Sequence, residues 1–261
     1  MPVASVFFDA PEARIDIVYL WVDGNDPAWR ARRHQAARQR GAIDPSAMAL
    51  YGNVEGRFRD NDELRYSLRA LERYFPDHGH VYLVTDGQTP AWLRPSSRLT
   101  LVDHRELIPA SQLPTFDSAH IESYVHRIPG LSERFFYFND DVFFGAPVQI
   151  DDWFWPGGVF ATWSDDAVVE GTTLRSDENA LENASRLSAQ WLSRLPGYRH
   201  TPRTFAHSPR PLLKSLLQAA EAEAPELFER VRSTTFRTWA SPTLVSDFVL
   251  RRALAHGQVQ M

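Results

Sequence analysis

The stretch Arg134-Phe135-Phe136-Tyr137-Phe138-Asn139-Asp140-Asp141 sets an aromatic run against an abrupt acidic turn. A run this short, rich in aromatic residues and closed by turn formers, reads as a β-strand. Its near-continuous apolarity points to burial on both faces, as in a parallel sheet. Two other stretches have the same form. Ile15-Asp16-Ile17-Val18-Tyr19-Leu20-Trp21-Val22 ends at Asp23-Gly24, and His80-Val81-Tyr82-Leu83-Val84-Thr85 ends at Asp86-Gly87. Helical patterns fill the gaps between the three. Asp60 with Glu63 forms the pattern of a capping box, ahead of an apolar stripe of Leu64, Leu68, Leu71 and Phe75 that Pro76 closes. Asp117 or Ser118 opens a second stripe of Ile121, Tyr124, Val125 and Ile128, stopped by Pro129-Gly130. Strand, helix, strand, helix, strand is the order of an α/β fold with a mainly parallel, Rossmann-like sheet.

Residues 178–195, 209–222, 225–232 and 242–256 read as helices, with Pro209, Pro225 and Pro242 each suited to a first helical position. Residues 31–56 read as a partly helical insertion. We expect one domain over 1–261, with a sheet core over 1–160 and a mostly helical cap over 161–261 that completes the site. At 261 residues, 43% apolar and 23% charged, the chain can bury a sizeable core. The net charge of −5 argues against a general nucleic-acid binder, and the absence of cysteine removes thiol chemistry and Cys-ligated zinc. Residues 1–14 lack the pattern of a signal peptide, and the chain has no apolar run of the roughly 20 residues a membrane span needs. A cytoplasmic location is expected, at the inner face of the membrane where an acceptor is lipid-linked.

In open parallel sheets, ligands bind beyond the carboxyl ends of the strands. All three strands end there in acidic or glycine turns, and Asn139-Asp140-Asp141 is the densest. Two adjacent carboxylates past a buried strand suit a hard divalent cation, which prefers oxygen ligands. Such turns also end strands through Asx hydrogen bonds alone. A second candidate is basic: Arg199, His200, Arg203, His207, Arg210 and Lys214. With Ser208 as N-cap and Pro209 as first helical residue, His207 and Arg210 would flank a helix N-terminus, which attracts anions. His207 has the ring type of a general base; a solvated basic face is the alternative for Arg199, Arg203 and Lys214. Arg237, between Phe236 and Trp239, can fork a phosphate or cover apolar surface with its stem. Asp16 lies in a strand that should be buried, so it needs either a structural partner or a ligand. The chain lacks the sequence patterns of a P-loop, a dinucleotide-binding turn and an α/β-hydrolase elbow.

These stretches resemble the Stealth family. The run 15–24 is similar to its first conserved region. Arg57-Phe58-Arg59-Asp60-Asn61-Asp62-Glu63-Leu64-Arg65-Tyr66-Ser67-Leu68-Arg69 is similar to the start of its second, which continues in order to Phe138-Asn139-Asp140-Asp141-Val142-Phe143-Phe144-Gly145. Phe205-Ala206-His207-Ser208-Pro209, followed by Phe236-Arg237, resembles the third more loosely, with His-Ser-Pro where the family usually has His-Met-Pro. The resemblance implies a catalytic domain of the nucleotide-sugar-transferase type. Its expected reaction transfers a hexose-1-phosphate, for example N-acetylglucosamine-1-phosphate, from a nucleotide-sugar to a sugar hydroxyl of a polysaccharide or glycan. A nucleoside monophosphate leaves, and a divalent metal, Mg2+, assists. By position it assigns Asp140 and Asp141 to metal and catalysis, and His207 to catalysis. It makes Asp16 and Arg237 candidates for substrate binding, beside Asn139 and Arg210 from the motifs themselves. Two other readings stand beside it. One is a metal-dependent glycosyltransferase that releases a nucleoside diphosphate. The other is a non-catalytic nucleotide-sugar-binding remnant, since the family's fourth region would lie past Met261.

Overall fold

The computed structural model describes residues 14–39, 45–52, 54–166 and 168–261. The signal-peptide reading of the N-terminus therefore falls almost wholly outside the described residues. The main sheet has five strands: β1 (Ile15–Leu20), β2 (Val81–Thr85), β3 (Leu99–Asp103), β4 (Arg134–Asn139) and, skipping two short strands, β7 (Arg210–Leu213). Their order is β3-β2-β1-β4-β7, with the first four parallel and β7 antiparallel to β4. Every residue of β1 and β2 is buried, as their unbroken apolar runs require. Strand β3 went unread in the sequence because it is an edge strand. Its residues Leu99, Thr100, Leu101 and Asp103 keep partial exposure, and only Val102 is buried. A second sheet joins β5 (Phe154–Trp155), β6 (Gly158–Phe160) and β8 (Val259–Gln260).

The helices are α1 (Pro27–Gln39), α2 (Glu63–Tyr74), α3 (His104–Leu107), α4 (Ser118–Glu122), α5 (Ala180–Leu192), α6 (Lys214–Glu223), α7 (Pro225–Arg232) and α8 (Val249–Ala255), the last preceded by a π-helical turn at Leu244–Phe248. None of the helices among the described residues is long and apolar enough to cross a membrane. Helix α2 buries Leu64 and Leu71 as its stripe predicts, but its cap differs from the expected box. Asp62 sits at the N-cap in the left-handed region, Asp60 accepts from the Asp62 N–H, and Glu63 accepts from the Asn61 N–H. The Asp-Asn-Asp run thus folds into its own turn before the helix starts. Helix α4 opens at Asp117, whose carboxylate caps the Ala119 N–H at 3.1 Å.

The expected helix over 209–222 is corrected. Arg210-Pro211-Leu212-Leu213 forms strand β7, pairing Tyr137 with Arg210 and Arg134 with Leu213, and the helix begins only at Lys214. An apolar run of this length fits strand or helix equally by periodicity. The sheet decides it, because β4 has a free edge whose N–H and C=O groups need partners. Pro211 is tolerated there because β7 is itself an edge strand. The last third is therefore more than a helical cap, since it supplies β7 to the main sheet and β8 to the small one.

Asp16, a substrate-binding candidate in the sequence, lies apart from the acidic turn. It is fully buried at the amino end of β1, whereas the acidic turn lies past the carboxyl end of β4. Arg14 donates to both carboxylate oxygens at 2.7 and 2.9 Å, and the backbone N–H groups of His80 and Ser132 donate at 2.7 and 2.9 Å. Asp16 therefore ties the chain entering β2 and β4 to β1. Burial alone would push its pKa up, but the bonds from Arg14, Ser132 and His80 outweigh it and hold the carboxyl below its usual range. A group lowered in this way stabilises the fold above its unfolded pKa and loses that contribution as pH falls through the folded value. Asp16→Ala should cost about 3 kcal/mol in urea unfolding at pH 7, with the deficit shrinking below pH 4. Loss of nucleotide-sugar affinity without loss of stability would contradict this placement.

Candidate active site

The three strand-end turns have different fates. Gln88 locks the first two together: its amide donates to the Asp23 carbonyl at 3.0 Å and to Asp26 at 2.9 Å, and its carbonyl accepts from the Asp23 N–H. Arg32 holds Asp86 at 2.7 Å. These turns are structural. The third, Asn139-Asp140-Asp141, lines a cavity of about 430 Å3, within the range of small-ligand sites.

The acidic turn carries more negative charge than it can comfortably hold. Asp140 is pushed up to about 7, first by burial, then by Asp141, with Glu63 and Asp60 adding to the repulsion. Asp141 is held below its usual range, chiefly by the hydrogen bond from His207 Nε2 at 3.2 Å. The sequence expected His207 at a helix N-terminus, but the β4–β7 ladder brings it in instead. Continuing that antiparallel register beyond the Tyr137–Arg210 pair sets His207 level with Asp140-Asp141. The other basic residues scatter. His200 joins Ser185 and Tyr198 at 3.1 and 3.0 Å, Arg203 lies 3.9 Å from Asp165, and Lys214 starts α6. Arg210 is buried on β7, donating to the Ala206 and Val245 carbonyls at 3.1 and 3.3 Å, rather than standing at a helix end.

The basic half of the cleft comes from a residue not singled out in the sequence. Arg57 lines the same cavity as Asp140 and Asp141 and donates to Ser118 Oγ at 3.3 Å. Arg237 donates to that same hydroxyl and, through Nε, to the buried carboxylate of Asp117 at 3.2 Å. Two guanidiniums thus meet over one serine, with the buried carboxylates of Asp117 and Glu122 nearby. Arg57 pays with a pKa lowered to about 10, chiefly by Arg237 and then by burial. Nothing in the sequence distinguishes Arg57 from Arg59. Arg59 lines the cavity too, and Arg57 differs in bonding Ser118. A small aromatic core holds Phe58 between them: Trp29, Phe58, Phe116 and Phe236 cluster, with Phe116 stacked on Phe236 at 5.4 Å. It fixes the residue after Arg57, the segment before Ser118 and the residue before Arg237. Gly24 allows this approach, since a Cβ there would lie 1.9 Å from the Phe58 carbonyl oxygen.

Glu122 was also missed. It is buried behind Tyr137, whose hydroxyl donates to it at 2.9 Å, while its second oxygen has no hydrogen-bond partner among the described residues. Burial pushes its pKa up, against the pull of Arg237 and Arg210. Its only sequence signal was a carboxylate directly beside an apolar stripe residue, Ile121.

Among the described residues no three carboxylate or imidazole groups form a closed metal cage. Asp140 and Asp141 are the adjacent carboxylates that could hold a hard cation, with Asp141 already bonded to His207.

Comparison with known proteins adds the lineage. Stealth protein conserved region 1 matches residues 13–41 and conserved region 2 matches residues 57–161, together just over half of the chain. The exopolysaccharide phosphotransferase SCO2592 of Streptomyces coelicolor is 41% identical over 236 residues, covering 89% of this chain and 24% of that protein. The capsular polysaccharide phosphotransferase cps1A of Actinobacillus pleuropneumoniae is 36% identical over 213 residues, covering 80% of this chain and 57% of that protein. The chain thus spans only part of the length of these relatives. Among solved structures, an active-site mutant of LgtC aligns with a TM-score of 0.32 and 12% identity, over 71% of this chain and 66% of that one.

The electrostatics of the turn give a stability test. Between the unfolded carboxyl pKa and about 7, the folded chain binds the Asp140 proton more tightly than the unfolded chain, so stability falls as pH rises through that window. In chelating buffer, Asp140→Asn should therefore stabilise the fold above pH 7 by on the order of 2 kcal/mol, the open cleft screening part of the repulsion. The gain should vanish below pH 4. Thermal melts across pH measure it, and a variant less stable than the parent at pH 8 would refute the assignment.

Proposed function

The chain belongs to the Stealth family, and from that premise we propose that it is a phosphotransferase of polysaccharide synthesis, moving a hexose-1-phosphate from a nucleotide-sugar to a sugar hydroxyl. The observation that carries this reading is the division of one cleft into an acidic turn, Asp140-Asp141, and a guanidinium, Arg57, backed by Arg237. That division suits a diphosphate, which needs both cationic hydrogen-bond donors and a metal-holding edge. The names of similar proteins, exopolysaccharide and capsular polysaccharide phosphotransferases, support the same class.

Asp140 and Asp141 would hold a divalent cation, Mg2+, which when bound neutralises phosphate charge. Arg57 binds the donor's phosphate oxygens, and Arg237, anchored on Asp117, keeps Arg57 and Ser118 in place. His207 gives its Nε2–H to Asp141, which leaves Nδ1 with the lone pair that takes the proton of the acceptor hydroxyl. The acceptor oxygen forms a bond to the sugar-bearing phosphorus as the bond to the second phosphate breaks. The nucleoside monophosphate leaves with that electron pair. Asp141 stabilises the imidazolium formed on His207. The reaction fits a cytoplasmic site where nucleotide-sugars are found, at the inner face of the membrane when the acceptor is lipid-linked.

Incubation with nucleotide-sugars, Mg2+ and an oligosaccharide acceptor, followed by mass spectrometry, tests the reading. A nucleoside monophosphate is expected. A diphosphate would mean a glycosyltransferase, and donor binding without turnover would mean a binding remnant. Arg57→Ala, Asp141→Asn and His207→Ala should each lower kcat/KM by about a hundredfold or more. A variant within a few-fold of the parent would lose its assigned role.

A further inference from the structure

Asp141 lines the donor cleft, and chain neighbours of Asp141 and His207 line a second concave surface. The other is a groove of about 490 Å3, whose walls include Phe143, Phe144, Ala206 and Ser208. Phe143 follows Asp141 by two residues, and Ala206 and Ser208 flank His207 in the chain, so the groove is walled by the chain on either side of the two residues, while their own side chains lie outside its lining. A diphosphate donor does not suit it. Its one basic lining residue, Arg210, is buried and spends donors on the Ala206 and Val245 carbonyls. The groove offers instead an open ring, Phe143 at 40% exposure, a half-buried Trp153, the neutral hydrogen-bonding groups of Gln149, Thr162 and Ser208, and the exposed carboxylate of Asp152, which can accept from sugar hydroxyls. A ring face that takes C–H groups, beside groups that pair with hydroxyls, matches an uncharged sugar.

The groove is also stiff. Trp153 stands edge-on to Phe136 at 5.2 Å and to Phe144 at 5.8 Å, and Phe136 and Phe144 belong to the main core. The Ala206 N–H donates to the Thr162 carbonyl at 2.8 Å, joining the two walls. Its volume lies within the roughly 300–1,000 Å3 of small-ligand sites. We infer that this groove binds the acceptor as an uncharged terminal sugar of a glycan, seated on Phe143 with its hydroxyl presented to His207. The inference rests on the phosphotransferase reading for the role of the bound sugar, and on the groove's own chemistry for the binding.

The test separates the two. Saturation-transfer NMR with neutral gluco-, galacto- and N-acetylglucosamine oligosaccharides needs no turnover. The intact chain should transfer saturation to the ring C–H groups of at least one series. Phe143→Ala, which removes an exposed ring and leaves the core intact, should weaken that binding about tenfold. Thr162→Trp, which fills the groove, should abolish it, while Arg57→Ala should retain it. In transfer assays, Phe143→Ala should raise the acceptor KM about tenfold and leave the donor KM within about twofold. No oligosaccharide binding by the intact chain, undiminished binding in Phe143→Ala and a folded Thr162→Trp, or a rise confined to the donor KM would each overturn the inference. Diphosphate release with groove-dependent sugar binding would instead overturn the phosphotransferase reading and leave the groove as a sugar site.

Discussion

The parallel pairing of β1 with β4, from Ile15 opposite Arg134 to Leu20 opposite Asn139, is the constraint on which the other arrangements depend. Both strands are buried, so their backbone groups must be paired along the whole ladder. Because the ladder ends at the same level on both strands, the chain turns at the same level too, and polar residues collect there. Asn139-Asp140-Asp141 therefore stands beside Trp21-Val22-Asp23. At the opposite end, Asp16 does the reverse task, using its carboxylate to close the amino edge of the sheet with Arg14, His80 and Ser132. Two carboxylate sites on one sheet thus have opposite roles, one satisfied by the protein and one left in electrostatic excess.

The cleft is completed by contacts between distant parts of the chain. Arg57, Ser118 and Arg237 converge because Trp29, Phe58, Phe116 and Phe236 bury one another in a small core of their own. The Phe116 N–H donates to the Thr235 carbonyl at 2.7 Å, which fixes the two segments together. The cost of crowding two guanidiniums is carried by apolar packing that lies outside the main core. The acidic turn and the two guanidiniums then face one cleft with charge of opposite sign.

The segment 205–213 has a dual role. As β7 it covers the open edge of β4, and by the antiparallel register it delivers His207 to Asp141. The same segment, with the chain leaving the acidic turn, walls the second groove. One stretch of backbone therefore both positions His207 and walls the groove, so that loss of the β4–β7 ladder would damage both.

What the sequence determined by itself was everything that depends on local pattern. Continuous apolar runs marked β1, β2 and β4, a 3.6-residue stripe marked α2, and the acidic turn after β4 stood out by composition. Motif order also pointed to the family. The tertiary structure alone decided which polar groups are satisfied. Burial and protein partners hold Asp16 and Arg210 within the fold, whereas Arg57 is one of two arginines lining the cleft and is set apart by its bond to Ser118. The run Arg210-Pro211-Leu212-Leu213 is ambiguous as a sequence and becomes a strand only because β4 has an unpaired edge beside it. Periodicity records which side of an element is buried, but hydrogen-bond and charge satisfaction depend on partners up to 193 residues away, and those exist only once the chain has folded.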